Sequence, residues 1–238
     1  MSDELSATVE PIGLAILEEE EVGTGGFLHL RRLHLENCRR DGSRSRRWLC
    51  DFVERRKGVD AVVLGLWRRR GDGAVEVLLR DGLRPALRYG RPALRIPLAD
   101  PRPYLFFTEV VAGIIEEGEV GEAAVRRRAV EEAWEEAGLR LPEAVVVLLG
   151  AGSFPSPGMT AEKFWLCAAE VTGLPLAPPP GDGSPMEEGA RLRWRELSAA
   201  ITDCEAGLIE DAKSELVFRR LAARLAADEP TPPSVRRD

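Results

Sequence analysis

The sequence predicts an α/β fold preceded by a small β unit, and three observations carry that expectation. Apolar runs of strand length, Val59 to Trp67 and Phe164 to Val171, lie on either side of one long stretch, Val120 to Ala137, that is rich in Ala, Glu and Arg and has no proline. Gly138 follows that stretch where a left-handed helix C-cap belongs. Ahead of Lys57, Phe27 to Leu35 alternates apolar and polar residues as a strand does.

Residues 1–57 read as the small β unit. Its strands are Thr8 to Leu17, interrupted by Pro11 and Gly13, then Phe27 to Leu35, then Trp48 to Val53, with Glu18 to Glu21 expected as a solvent-facing run between the first two. A few strands cannot bury both faces alone, so this sheet is expected to pack on the main domain or on a second copy of the chain. Residues 58–227 form the α/β domain. Val59 to Trp67 and Ala74 to Leu79 pair through a tight turn at Gly71 to Gly73. Arg80 and Arg84 come next, then proline-rich irregular chain to Pro103 and a strand from Tyr104 to Val111 that leads into the helix. Val145 to Leu149, Phe164 to Val171 and Leu192 to Leu197 are further strands, and a last helix runs from Ile209 to Ala226. Trp165 and Trp194 read as core residues, and residues 228–238, rich in proline and charge, as a disordered tail.

Bulk properties remove several function classes. A chain of 238 residues with 44% hydrophobic content can bury a proper core, and its net charge of −7 argues against a general nucleic-acid-binding surface. No apolar run approaches the roughly 18 residues of a membrane span. Cys38, Cys50, Cys167 and Cys204 show no metal or redox spacing and no signal peptide precedes them, which fits reduced thiols in a cytoplasmic protein. His29 and His34, the only histidines, both fall in the N-terminal unit, so histidine catalysis is not expected.

The long helix concentrates carboxylates. Residues four apart lie about 40° apart around a helix axis. Arg128, Glu132 and Glu136 therefore form one stripe and Arg127, Glu131 and Glu135 the stripe beside it. Like charges so placed repel by a few tenths of a kcal/mol per pair, a conflict that a bound hard cation removes. Oxygen donors without His or Cys point to Mg²⁺ or Mn²⁺. The charge pattern alone equally describes a solvated acidic face paired with Arg126, Arg127 and Arg128.

The stretch from Ala112 to Leu139 resembles the Nudix box, G-x5-E-x7-R-E-U-x-E-E-x-G-U with U apolar. Gly113, Glu119 and Arg127 match from the front, and Glu132 with Glu135 to Leu139 match from the back. The two ends do not share a register, because the chain carries four residues more than the pattern. Counted from the front, Arg128 falls where the family has its first metal-binding Glu; counted from the back, Glu132 does. Glu131 to Trp134 followed by Glu135 to Gly138 reads like a duplicated helical turn, which nearly restores the face. The back register makes Glu132 and Glu136 the metal ligands, with Glu135 helping to hold water or a second ion and Arg127 pairing with Glu119.

Other segments resemble one branch of that superfamily, the ADP-ribose and nucleoside-diphosphate-sugar pyrophosphatases. They are Val77 to Arg84, Glu109 to Gly113, Phe154 to Gly158 with Glu162 and Lys163, and Asp211 to Lys213. The resemblance implies an α/β/α sandwich around a mixed sheet, preceded by a small β domain exchanged across a homodimer. It implies substrate contacts from Arg84, Glu109, Ser156 and Glu162, and a metal contact from the backbone carbonyl of Ala112. The general base is expected from the loop Pro178 to Gly189, with Glu188 favoured over Glu187. The implied reaction is Mg²⁺- or Mn²⁺-dependent hydrolysis of ADP-ribose to AMP and ribose 5-phosphate. GDP-mannose or another sugar nucleotide is the alternative within the enzyme class, and a Nudix-fold nucleotide-binding or scaffold protein without turnover the alternative outside it.

Overall fold

The computed structural model describes residues 11–23 and 26–228. The start of the first expected strand and all but the first residue of the expected tail lie outside them. The chain divides into two compact units, one of residues 1–59 with 156–162, the other of residues 60–155 with 163–238.

The first unit holds an antiparallel three-stranded sheet of β1 (Pro11–Val22), β2 (Leu28–Arg39) and β3 (Trp48–Arg55), in that order. The irregularity expected from Pro11 and Gly13 is a register shift between those residues. The run Glu18 to Glu21 continues β1, paired with Arg31 to His34 of β2, and Glu18 and Glu19 are exposed as expected. Arg31 then joins Glu19 on one neighbouring strand to Glu54 on the other, and Arg32 makes a two-pronged bond with Asp51. The segment 156–162 enters this unit through the Val53 amide, which donates to the Met159 carbonyl at 2.9 Å.

The second unit is a seven-stranded mixed sheet between helices. Its strands are β4 (Ala61–Arg69), β5 (Val75–Leu83), β6 (Phe106–Glu109), β7 (Val111–Ile114), β8 (Val146–Leu148), β9 (Phe164–Glu170) and β10 (Arg191–Glu196). They run in the order β10-β5-β4-β9-β8, with β6 on β5 and β7 on β4, and only β4 and β9 are parallel. Alternation along β4 divides the core. Val62, Leu64 and Leu66 face α2 (Gly121–Ala137), while Val63 and Trp67 face α3 (Leu197–Glu205) and α4 (Ala212–Asp228). Both faces of β4 are therefore covered, which is why its sequence is apolar from Ala61 to Trp67. Cys167 is a packing residue here, its thiol pushed up to about 12 by burial. Trp165 and Trp194 pack partly buried against the α2 side.

Three expectations change. The proline-rich stretch contains a short helix, α1 (Pro85–Gly90), because proline suits the first helical turn. The last strand hands directly to α3, whose Ser, Thr and Asp residues give little helical signal and whose burial of Leu197 and Ala200 supplies the stability instead. The final helix starts at Ala212 rather than Ile209, because the Asp211 carboxylate accepts the Ser214 N–H at 3.1 Å and sets the first turn there.

The single strand expected from Tyr104 to Val111 is two. At Val110 the chain leaves β5 and joins β4, and the Val110 N–H goes to the Ser214 hydroxyl at 2.8 Å instead of to a strand. β4 and β5 pair directly only at Trp67 to Arg69, so β6 and β7 fill the gap where they part. Phe218 on α4 is fully buried over this sheet. Phe218→Ala is expected to cost about 3–5 kcal/mol, measured as a lower urea midpoint with an unchanged slope.

Candidate functional site

Burial of α2 is what draws its acids inward. Ala129, Ala133 and Ala137 form a fully buried stripe of small side chains that lets the helix lie close on the sheet. Arg128, Glu132 and Glu136 each precede one of those alanines, so they sit about 100° round the axis, at the margin of the buried face. The helix is continuous from Gly121 to Ala137, so the repeated turn Glu131 to Ala137 lies within it and does not bulge out. Gly138 caps it at φ 64°, and the Leu139 and Gly138 amides return to the Ala133 and Trp134 carbonyls. Arg127 reaches Glu119 at 3.3 Å, the pairing expected to lock the loop on the helix.

Glu132 is 9% exposed and lies against the backbone of β7. A Cβ built on Gly113 would stand 1.6 Å from its Oε1, so only glycine leaves room for that carboxylate. Burial, then the charge of Glu136, pushes the Glu132 carboxyl up to about 8, against the opposing pull of Arg128. Glu136 also lies above the ordinary carboxylate range because of burial, offset by Arg80 and by the Ala112 N–H. That N–H donates to Glu136 Oε2 at 3.2 Å. Glu135, half-buried on the adjoining stripe, is raised by burial as well, with Arg128 opposing.

Arg80 sits beside these acids and was not among the residues singled out for binding. It is 4% exposed, with Nη1 3.4 Å from Glu136 Oε1 and Nη2 3.4 Å from Glu187 Oε1. Its Nε is buried without a hydrogen bond. Strand alternation gives Arg80 and Arg84 the same parity and could not separate them; what differs is that Arg80 lies inside the buried run of β5 and Arg84 beyond the end of the strand. Across the sheet it stands directly opposite Glu109, which is 2% exposed and bonded to Lys213 Nζ at 2.6 Å. Lys213 also meets Asp211 at 2.9 Å. Burial pulls the Lys213 ammonium down, but Glu109 and Asp211 outweigh it and the net shift is up.

Apart from Glu187 and Glu188 on their loop, the residues proposed from sequence fall into three places. Ala112, Glu132, Glu135 and Glu136 come together where α2 meets β7. Arg84 caps the start of α1 and pairs with Glu109, so these two hold each other. Ser156 and Glu162 belong to the first unit, where the Ser156 carbonyl closes a turn to Met159 and Thr160, and Glu162 pairs with Arg55 at 2.7 Å.

A cleft of about 650 Å³ opens between the C-terminal half of α2 and the loop that carries Glu187 and Glu188. Glu135, Glu136, Glu187 and Glu188 line it, and Arg80 is the one basic residue that does. The loop is anchored by backbone bonds from Ala177 N–H to the Gly138 carbonyl and from Gly181 N–H to the Glu135 carbonyl. Glu187 turns inward, taking the Asp182 N–H at 2.7 Å, while Glu188 is exposed. Among the described residues no group of three or more His, Cys, Asp or Glu side chains is arranged to hold an ion. One buried and one largely buried carboxylate a helical turn apart, beside a strand whose glycine makes room for the first, nonetheless fit an oxygen-bound cation completed by backbone and water.

The mixed sheet between helices, and the small antiparallel sheet that precedes it in sequence, match a Nudix-like fold. A solved structure described as an ADP compounds hydrolase matches it with a TM-score of 0.59 at 15% identity, over 94% of this chain and 100% of that one. At that identity the likeness concerns the fold. No protein-family model and no curated protein matches the sequence. No helix among the described residues is long and apolar enough to cross a membrane.

The contact between Glu132 and Gly113 can be tested as a coupling. Gly113→Ala is expected to destabilise the protein by about 1–3 kcal/mol. In the Glu132→Ala background most of that loss is expected to vanish, because the atom the new methyl meets is gone; urea unfolding of the four proteins in a double-mutant cycle measures it.

Proposed function

We propose that the chain is a divalent-cation-dependent hydrolase that cleaves the pyrophosphate bond of a nucleoside diphosphate sugar, with ADP-ribose as the favoured substrate. The observation that carries this proposal is the pairing of Glu132, buried, and Glu136, largely buried one helical turn on, with the buried guanidinium of Arg80, where Glu136 and Arg80 line one cleft. Anionic substrate and acidic site are compatible only if cations lie between them. The likeness to an ADP compounds hydrolase, shared over nearly the whole chain, supports the choice of substrate class.

Glu132, Glu136 and the Ala112 carbonyl are the proposed ligands of Mg²⁺ or Mn²⁺, with Glu135 ordering water beside them. Such an ion, when bound, neutralises charge on the phosphoryl oxygens and favours the hydroxide form of a bound water. Arg80 offers a planar fork of donors to a phosphate group. Glu188, exposed on the loop and not committed to a partner there, is the proposed base that takes the proton of the attacking water. Water oxygen bonds to phosphorus as the bridging P–O bond breaks, which releases AMP and ribose 5-phosphate. Anchoring of the loop at Gly138 and Glu135 lets its tip move while its base stays fixed to α2.

A cytoplasmic homodimer belongs to the same proposal. The three-stranded sheet leaves Ile16, Phe27, Leu28 and Leu49 exposed, a surface that a second copy would cover. A second reading has one observation in its favour: Glu136 is already engaged by Arg80 and the Ala112 N–H, as in a nucleotide-binding protein without turnover.

Purified protein is expected to release AMP from ADP-ribose only with Mg²⁺ or Mn²⁺, and Glu132→Gln or Glu136→Gln to lower kcat at least about 100-fold. Mg²⁺ is expected to raise the thermal midpoint of the wild type and not of either variant. Nucleotide binding without turnover under both ions would replace the hydrolase with the binding protein. Glu188→Gln is expected to lower kcat by about 10²–10⁴-fold with KM nearly unchanged, read in steady-state kinetics.

A further inference from the structure

Arg80 has the partners of a residue that is waiting for a better one. Its two contacts, to Glu136 and Glu187, are both 3.4 Å, against the roughly 2.8 Å of a well-made bond between guanidinium and carboxylate. Its Nε is buried and has no hydrogen bond at all. A guanidinium fork so loosely held, 4% exposed and alone of its sign along a cleft lined by four Glu side chains, is the natural seat of a ligand phosphate.

Glu187 occupies that seat from the loop side. One oxygen faces Arg80, and the other accepts the Asp182 N–H at 2.7 Å. The loop backbone is folded around the same carboxylate: Gly181 has φ 68°, and a Cβ there would lie 2.3 Å from Glu187 Oε2. The 3₁₀ turn Pro185–Glu187, with the Ser184 hydroxyl accepting the Met186 N–H, aims Glu187 inward and leaves Glu188 out. The conformation of the loop and the occupancy of Arg80 therefore depend on one side chain.

We propose that Glu187 is a built-in stand-in for a substrate phosphate: its carboxylate holds Arg80 in the unliganded protein, and an arriving nucleoside diphosphate displaces it, so that phosphate binding and release of the loop are one event. This rests on the functional reading above and assigns Glu187 and Glu188 separate tasks within it. Glu187 is a positioning residue that competes with the ligand, and its neighbour is left for the proton transfer. A tethered competitor lowers apparent affinity by the fraction of time it occupies the seat. Removing its charge should then tighten binding rather than weaken it.

The test uses the full-length protein with Mg²⁺ and ADP as the probe, by titration calorimetry. Glu187→Gln is expected to bind ADP about 3–30-fold tighter than the wild type. Glu188→Gln, which deletes the same charge one residue away, is expected to tighten binding clearly less, which separates a specific contact with Arg80 from general repulsion in the cleft. Arg80→Lys, which keeps the charge and loses the fork, is expected to weaken binding at least about 10-fold. Without ligand, a broad-specificity protease is expected to cut within residues 178–190 faster in Glu187→Gln than in the wild type. Equal tightening by both Gln variants, or none by Glu187→Gln, overturns the stand-in while leaving hydrolysis of ADP-ribose by the wild type intact. A wild type that neither turns over ADP-ribose nor binds ADP overturns both proposals.

Discussion

The second unit is built around the burial of two like charges on one helix. Close packing of Ala129, Ala133 and Ala137 on the sheet draws Glu132 and Glu136, one position earlier in each turn, inward, Glu132 to burial and Glu136 to the wall of the cleft. Neither can escape without lifting the helix off its core. The rest of the site accommodates that constraint: Gly113 gives up a side chain to make room for Glu132, and the Ala112 N–H and Arg80 share the charge of Glu136. Desolvation of this kind is costly unless a counter-charge is near, and it raises both carboxyls above their ordinary range, with Arg128 opposing the shift of Glu132 and Arg80 that of Glu136.

The handover of the chain from β5 to β4 at Val110 is what brings counter-charges there. Because β6 and β7 pair with different strands, Glu109 faces Arg80 across one ladder while Ala112 and Gly113 face α2 from the next. Signs then alternate through the interior, from Asp211 and Lys213 to Glu109, to Arg80, to Glu136. Each charge in such a chain is paid for by its neighbours, and loss of one leaves another unpaired at a cost of about 3–5 kcal/mol. Glu109, paired with Lys213 and Arg84, stands opposite Arg80 across the ladder, although neither Glu109 nor Lys213 lines the cleft.

Over that buried chain lies a loop of opposite character. Prolines and glycines keep it out of regular structure, while two backbone bonds fix its base to the end of α2. Adjacent glutamates on it receive different environments from a single 3₁₀ turn, one directed at Arg80 and one at solvent. Two carboxylates with the same chemistry can therefore do different work, as their surroundings and not their identity decide.

Much of the fold was legible because its signals are local. The apolar length of β4 and β9, the turn at Gly71 to Gly73, the composition of α2 and its stop at Gly138 each depend on a few neighbouring residues. Helix α3 and the break at Val110 were not, since their causes are a buried Leu197 and a hydroxyl from Ser214, more than a hundred residues away from Val110 in the second case.

The same division holds for the site. Spacing on one helix determined by itself that Glu132 and Glu136 share a face, because helical geometry fixes neighbours four residues apart; the pairing of Arg127 with Glu119, which lies before the helix, came from the resemblance to the box. Sequence could not choose between Arg80 and Arg84, nor tell that Glu187 and Glu188 point in different directions. Those outcomes were decided by which strand edge parts to admit β6 and β7 and by how a distant loop folds on α2, since contacts between remote segments form only when the whole sheet is assembled.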